Sequence, residues 1–312
     1  LPLHLARARL HETAAAIRRK RGVVAVFYGL PSRGGQWRPD ERVLSVHVLR
    51  KEPPTELSRG RLLPACLAGL DTDVLESGRP CLSRLDVTDR ARCQREPGNF
   101  TRDSTLTAVA STADGARVLM SGHAALPREP NGRLLRQWRD DGSPAGAVAV
   151  DDDASTWMGR LEYGEMGGTM DFCVASFSAA PHDPLHPLLG VTPPFPLRRL
   201  PPEPGELVRT HSRLPSDPGP RPGRVVGLLL GVLEAELGDG TRVRYTDLVC
   251  VAPVEQGPPF SRPGDSGALV ADAEGRALGV VVAGSENHAL SYVLPLLHLE
   301  AALGQDMPLF FR

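Results

Sequence analysis

The chain has no apolar run of about 18 residues, the length that a bilayer-spanning helix requires, so no membrane span is expected. It has no cysteine pair at CxxC spacing, and its five cysteines (Cys66, Cys81, Cys93, Cys173 and Cys250) are sparse and odd in number. That pattern argues against a disulfide framework or a zinc knuckle and favours a reducing compartment. Net charge is nearly absent, at −1, so there is no global field to attract nucleic acid or anionic lipid. The first twenty residues carry Arg and His throughout their apolar positions and lack a secretory-signal core. A cytoplasmic location is therefore expected. Helical periodicity is scarce too. It is convincing only over residues 3–20 and in "PLLHLEAALG" (295–304), which opens on Pro and closes on Gly.

Turn formers are what the chain has in quantity. Thirty prolines and 32 glycines suit short strands joined by many turns better than a helical bundle. "GVVAVFYGL" (22–30), "RVLSVHVLR" (42–50) and "DTDVLESG" (71–78) read as strands. With the first helix they predict a small α+β N-terminal domain over residues 1–88. A stretch rich in Arg, Cys and Pro (79–103) looks like a linker, assigned to residues 89–103. From 104 to 305 the pattern is steadily β, with "TADG" (112–115) as a hairpin turn. A proline-rich segment over 193–222 splits this region into halves, which indicates paired barrels or a sandwich.

The chemistry centres on "RPGDSGALV" (262–270), where Ser266 sits among turn-forming residues. Gly-Asp-Ser-Gly alone is also what an ordinary turn looks like. A serine hydroxyl becomes a nucleophile only beside a base, and the base needs an acceptor to fix its tautomer. His123 in "RVLMSGHAAL" follows a predicted strand at a small-residue turn. Asp171 in "TMDFCVASF" leads an apolar strand, where a half-buried carboxylate is costly unless paired. The plain alternatives are a structural histidine at 123 and a surface aspartate at 171. His182 and His186 have ligand spacing only on a helix, which the flanking prolines prevent. Asp151, Asp152 and Asp153 read as a solvated loop. No metal site is expected.

These motifs resemble a known family. "SGHAAL" is similar to the histidine motif of trypsin-like (chymotrypsin-fold) serine proteases, "DFCVASF" to their aspartate strand and "PGDSGALV" to their nucleophile turn, in the family's order. The stretch "VLSVHVLRKEPPTELSRGRLLPACLAGLDTDVLESG" resembles the leader domain of the bacterial group related to the plant narrow leaf protein. The resemblance implies a mainly β, two-barrel trypsin-like domain preceded by the small α+β domain. It makes Ser266 the nucleophile, His123 the general acid/base and Asp171 the group that orients it. The N–H groups of Gly264 and Ser266 would form the oxyanion hole. Phe260 would fall at the position that sets pocket specificity, and Val282, Ala283 and Gly284 would offer an edge strand to substrate. No Ile-Val-Gly-Gly-like segment precedes the barrels, so a freed amine is not expected to pair with Asp265. The implied function is a serine endopeptidase that acts on protein or peptide substrates without a cofactor, with a companion effector or activator protein as a further partner. The alternative is a catalytically silent scaffold of the same fold that binds peptides. Neither nucleic acid nor membrane is an expected partner.

Overall fold

Short apolar strands and tight turns close the middle of the chain into a ring. The computed structural model describes residues 3–82, 90–96, 99–127, 135–139, 147–151, 156–179, 186, 188–212, 219–237, 240–254, 258–287 and 289–312. Strands Arg90–Glu96, Asn99–Thr112, Gly115–Met120, Met170–Phe177, Thr156–Gly167 and Ala147–Asp151 pair antiparallel in that cyclic order, and the last returns to the first. This is the first barrel.

A second ring runs through Leu207–Ser212, Gly219–Leu229, Val249–Pro253, Ser291–Pro295, Ala277–Ser285 and Leu269–Asp272, again closed on itself. Its interior is filled by Val225, Val251, Phe260, Leu278, Val281 and Val293. Burying each such side chain contributes about 1.5–3 kcal/mol. The architecture is thus mainly β and two-barrelled, as the motifs imply.

The N-terminal residues form a layer attached to the second barrel. Helix Leu3–Arg18 buries Ala14 and Ile17 against Val26, Leu44 and Val46. Strand Val23–Gly29 pairs on one side with Val43–Val48 and on the other with the barrel strand Gly219–Leu229. Leu70–Glu76 then adds parallel to Val43–Val48. The α+β unit is present, and its sheet runs on into the second barrel without a break.

The linker expected over 89–103 is a correction. Arg90–Glu96 and the start of Asn99–Thr112 are barrel strands, paired to each other and, through Ala147–Asp151, to the rest of the ring. Ladder hydrogen bonds are made by the backbone, so a charged composition does not keep a segment out of a sheet. At the C-terminus, the predicted helix is a 3-10 turn, Leu296–His298, followed by the α-helix Leu299–Leu303. Leu296, Leu299 and Leu303 face the core.

Candidate active site

His123 follows the strand Gly115–Met120 in a single helical turn, Gly122–Ala125, all of it buried. Asp171 is the second residue of the neighbouring strand Met170–Phe177. Gly122 permits their approach: a Cβ there would lie 2.9 Å from the Glu165 carbonyl oxygen and 3.0 Å from Asp171 Oδ1. Any side chain would push the carboxylate aside. With that space free, Asp171 accepts from the His123 backbone N–H at 2.8 Å and from the ring Nδ1–H at 2.7 Å. The Tyr245 hydroxyl donates a third hydrogen bond at 2.9 Å. Burial first, then the neighbouring carboxylate, push the Tyr245 hydroxyl well above its ordinary value, which keeps it a donor. Three donors offset the cost of burying the carboxylate.

The Nδ1 contact has a consequence on the other side of the ring. A neutral imidazole that donates from Nδ1 keeps a lone pair on Nε2. Ser266 Oγ lies 2.9 Å from that nitrogen. Side chains from both barrels therefore form one continuous run, carboxylate to imidazole to alcohol.

Ser266 is held in place by contacts across the barrel interface. The Ser266 carbonyl accepts from Ser104 Oγ at 2.6 Å and from the Thr105 N–H at 2.8 Å. Thr105 Oγ1 donates to the Gly264 carbonyl and Thr107 Oγ1 to the Gly267 carbonyl, each at 2.7 Å. These four donors, on three residues, all stand on the first-barrel strand Asn99–Thr112. Within the turn, the Asp265 N–H donates to the Arg262 carbonyl at 3.0 Å. Gly264, at φ +96°, takes the left-handed position that a turn with Pro263 before it assigns to glycine.

Asp265 itself is buried and ion-paired with Arg221, equally buried. Its Oδ2 also accepts the Arg262 N–H at 2.7 Å, and Arg221 donates to the Pro259 carbonyl at 3.2 Å. A buried carboxylate needs a cation or several donors. Arg221 supplies the cation from within the chain, so this turn does not depend on a freed amine.

No family model matches the chain, and neither does any curated protein. Solved structures do. The active form of the Rv3671c protease from M. tuberculosis aligns at 17% identity and a TM-score of 0.43, covering 69% of this chain and 78% of that one. A glutamic acid-specific serine protease, described as using a histidine triad in substrate binding, aligns at 15% identity and 0.43, covering 70% and 98%. The MamO protease domain from Magnetospirillum magneticum aligns at 12% and 0.41, covering 69% and 95%.

The remaining sequence candidates fall in different places. Phe260, expected at the position that sets pocket specificity, is buried in the second barrel, over Gly223 and against Val251. The absent side chain at 223 opens the space that this large ring fills. Val282, Ala283 and Gly284 lie on the strand Ala277–Ser285. His186 packs edge-on against Phe195, while His182, Asp152 and Asp153 lie outside the described residues. Among the described residues, no three His, Cys, Asp or Glu side chains converge as a metal site would require.

Sequence reasoning missed Tyr245, Arg221 and the Ser104, Thr105 and Thr107 donors. Only Arg221 left a usable trace: an arginine within a run otherwise reading as strand and turn ("PGPRPGRVVG") needs a buried partner or a route to water.

Proposed function

We propose that the chain is a serine endopeptidase whose nucleophile is Ser266, with His123 as general acid/base and Asp171 as the group that orients it. The observation that carries this reading is the hydrogen-bonded run from Asp171 Oδ2 through His123 to Ser266 Oγ, at 2.7 and 2.9 Å. Nε2 takes the hydroxyl proton as Oγ attacks the peptide carbonyl carbon. The imidazole becomes a cation, which the Asp171 carboxylate stabilises. Negative charge develops on the carbonyl oxygen, and we assign the N–H groups of Gly264 and Ser266 to receive it. A donor of this kind contributes about 3 kcal/mol to lowering the barrier. His123 then returns its proton to the departing amine, leaving an acyl group on Ser266. Water, deprotonated by the same imidazole, releases the acid.

The chemistry calls for no cofactor. Protein or peptide chains are the proposed substrates, joining the edge of Val282, Ala283 and Gly284 as an added strand. Phe260, at the position that would set pocket specificity, is proposed as an uncharged floor of that pocket. The strand-and-loop motif over 43–78 supports membership in the group related to the plant narrow leaf protein. A companion effector or activator, and a cytoplasmic setting, complete the proposal.

A fluorophosphonate probe tests it. Labelling of one site, abolished by Ser266→Ala, is the expected result. Labelling that survives Ser266→Ala assigns the nucleophile to another residue, and absence of labelling in protein that keeps its fold favours the silent scaffold or a latent form.

A further inference from the structure

The edge that an extended peptide would join is already taken by the chain itself. Residues Pro80–Leu82 lie antiparallel on the strand Ala277–Ser285, with Leu82 opposite Ala283, Cys81 opposite Gly284 and Pro80 opposite Ser285. The approach to this short strand is anchored: the Glu286 N–H donates to the Arg79 carbonyl at 2.9 Å, and the Arg79 N–H donates to Glu286 Oε2 at 3.2 Å. Asn287 Nδ2 donates to the Glu76 carbonyl at 3.3 Å. Hydrogen-bonded pairs alternate along an antiparallel ladder. With Arg79 and Glu286 bonded, Cys81 and Gly284 are the next bonded pair. Pro80, which has no N–H, falls at the position between, where none is needed. The register therefore suits proline where it occurs.

Burial of the reacting groups is a second, independent observation. His123 is 1% exposed and Ser266 0%. An attacking hydroxyl must meet a carbonyl carbon at about 3 Å, and a centre without accessible surface does not admit one. Leu82, only 3% exposed, belongs to the same apolar cluster as Val282 and Ala283.

We propose that the segment Arg79–Leu82 is an intramolecular blocker that occupies the acyl side of the substrate site and must leave before a peptide binds; this rests on the peptidase reading above. A tethered strand competes at an effective concentration of roughly millimolar. Apparent substrate affinity is lowered by the fraction of chains in which the edge is free. The occupant also describes its competitor: an extended peptide with an apolar side chain where Leu82 lies and a free backbone N–H and carbonyl where Cys81 lies.

Two variants test this. Cys81→Pro removes the N–H that faces Gly284, and Glu286→Ala removes the side-chain anchor of Arg79. The readouts are the rate at which a fluorophosphonate labels Ser266, by intact mass, and hydrogen exchange over residues 283–286. The expected result is labelling about tenfold faster or more in Cys81→Pro and a smaller acceleration in Glu286→Ala. A free peptide with the sequence of residues 79–82 should slow the released protein again. If Cys81→Pro does not fold, Glu286→Ala carries the same comparison. Wild-type labelling as fast as that of a variant whose 283–286 amides exchange freely overturns the blocker and leaves the peptidase reading standing. Absence of labelling in every released form removes both.

Discussion

His123, in the helical turn after the strand Gly115–Met120, and Asp171, on the neighbouring strand Met170–Phe177, belong to one barrel and meet through sheet register, a glycine and two hydrogen bonds. Ser266 stands on a turn of the other barrel, and its fastenings come from elsewhere: Ser104, Thr105 and Thr107 across the interface, and Arg221 beneath. The base half is thus built on adjacent strands and is expected to tolerate loss of one contact. The nucleophile half is assembled by partners from the other barrel and from Arg221, and is expected to fail when one of them goes. The site belongs to the junction between barrels rather than to either alone.

The sharpest way to break this contrast is Arg221→Met. It leaves the Asp265 carboxylate buried without its cation, a change that costs about 3–5 kcal/mol. Denaturant unfolding should show that loss, and Ser266 labelling should fall with it. The double variant Arg221→Met with Asp265→Asn should recover much of the stability. An Arg221→Met protein as stable as wild type would mean that the turn stands by itself.

Acid separates the regions next. His47, on the N-terminal layer, is buried against Phe27 at a ring-centroid distance of 4.4 Å, and its Nδ1 has no partner among the described residues. Burial pushes its pKa down from 6.5 to about 3. The unfolded chain takes up a proton near 6.5, whereas the folded chain does not until about 3. Stability therefore falls as pH drops through that window, by about 1.4 kcal/mol per pH unit. By pH 5 the loss is about 2 kcal/mol. His47→Phe should remove this slope, read from denaturant midpoints at pH 7 and pH 5. An unchanged slope refutes the assignment.

Tyr245→Phe makes the smallest change and tests the tolerance of the base half. It removes one of three donors to Asp171 and leaves the other two. Turnover should fall about tenfold through kcat, the equivalent of one modest hydrogen bond, with KM unchanged and folding intact. A thousandfold loss would show that the base half depends on a distant contact as heavily as the nucleophile half does.

The same contrast governs what was legible in the sequence. The Pro-Gly-Asp-Ser-Gly turn is local chemistry, and a carboxylate leading an apolar strand announces that it needs a partner, so Ser266 and Asp171 could be picked out, with His123 between them in chain order. Turn spacing and the proline-rich divide left paired barrels or a sandwich, and the resemblance of the motifs chose the barrels. Tyr245 could not be picked out, since its partner lies 74 residues away and nothing near it marks the pairing; Arg221, 44 residues from Asp265, left only the trace of an arginine within a strand-and-turn run. Sequence position could not say which face of the wall the Phe260 ring enters; it packs with Val251 over Gly223. The strand at 90–96 was hidden by its charge, and Pro80–Leu82 is too short for any periodicity to show.

The most direct measurement of the central claim is the rate of fluorophosphonate attack on Ser266 in Cys81→Pro protein, with and without His123→Gln. If Nε2 draws the proton from Oγ across 2.9 Å, the glutamine variant should label at least about a thousandfold more slowly, on the scale of losing a member of such a relay. Equal rates in the two proteins would contradict the account.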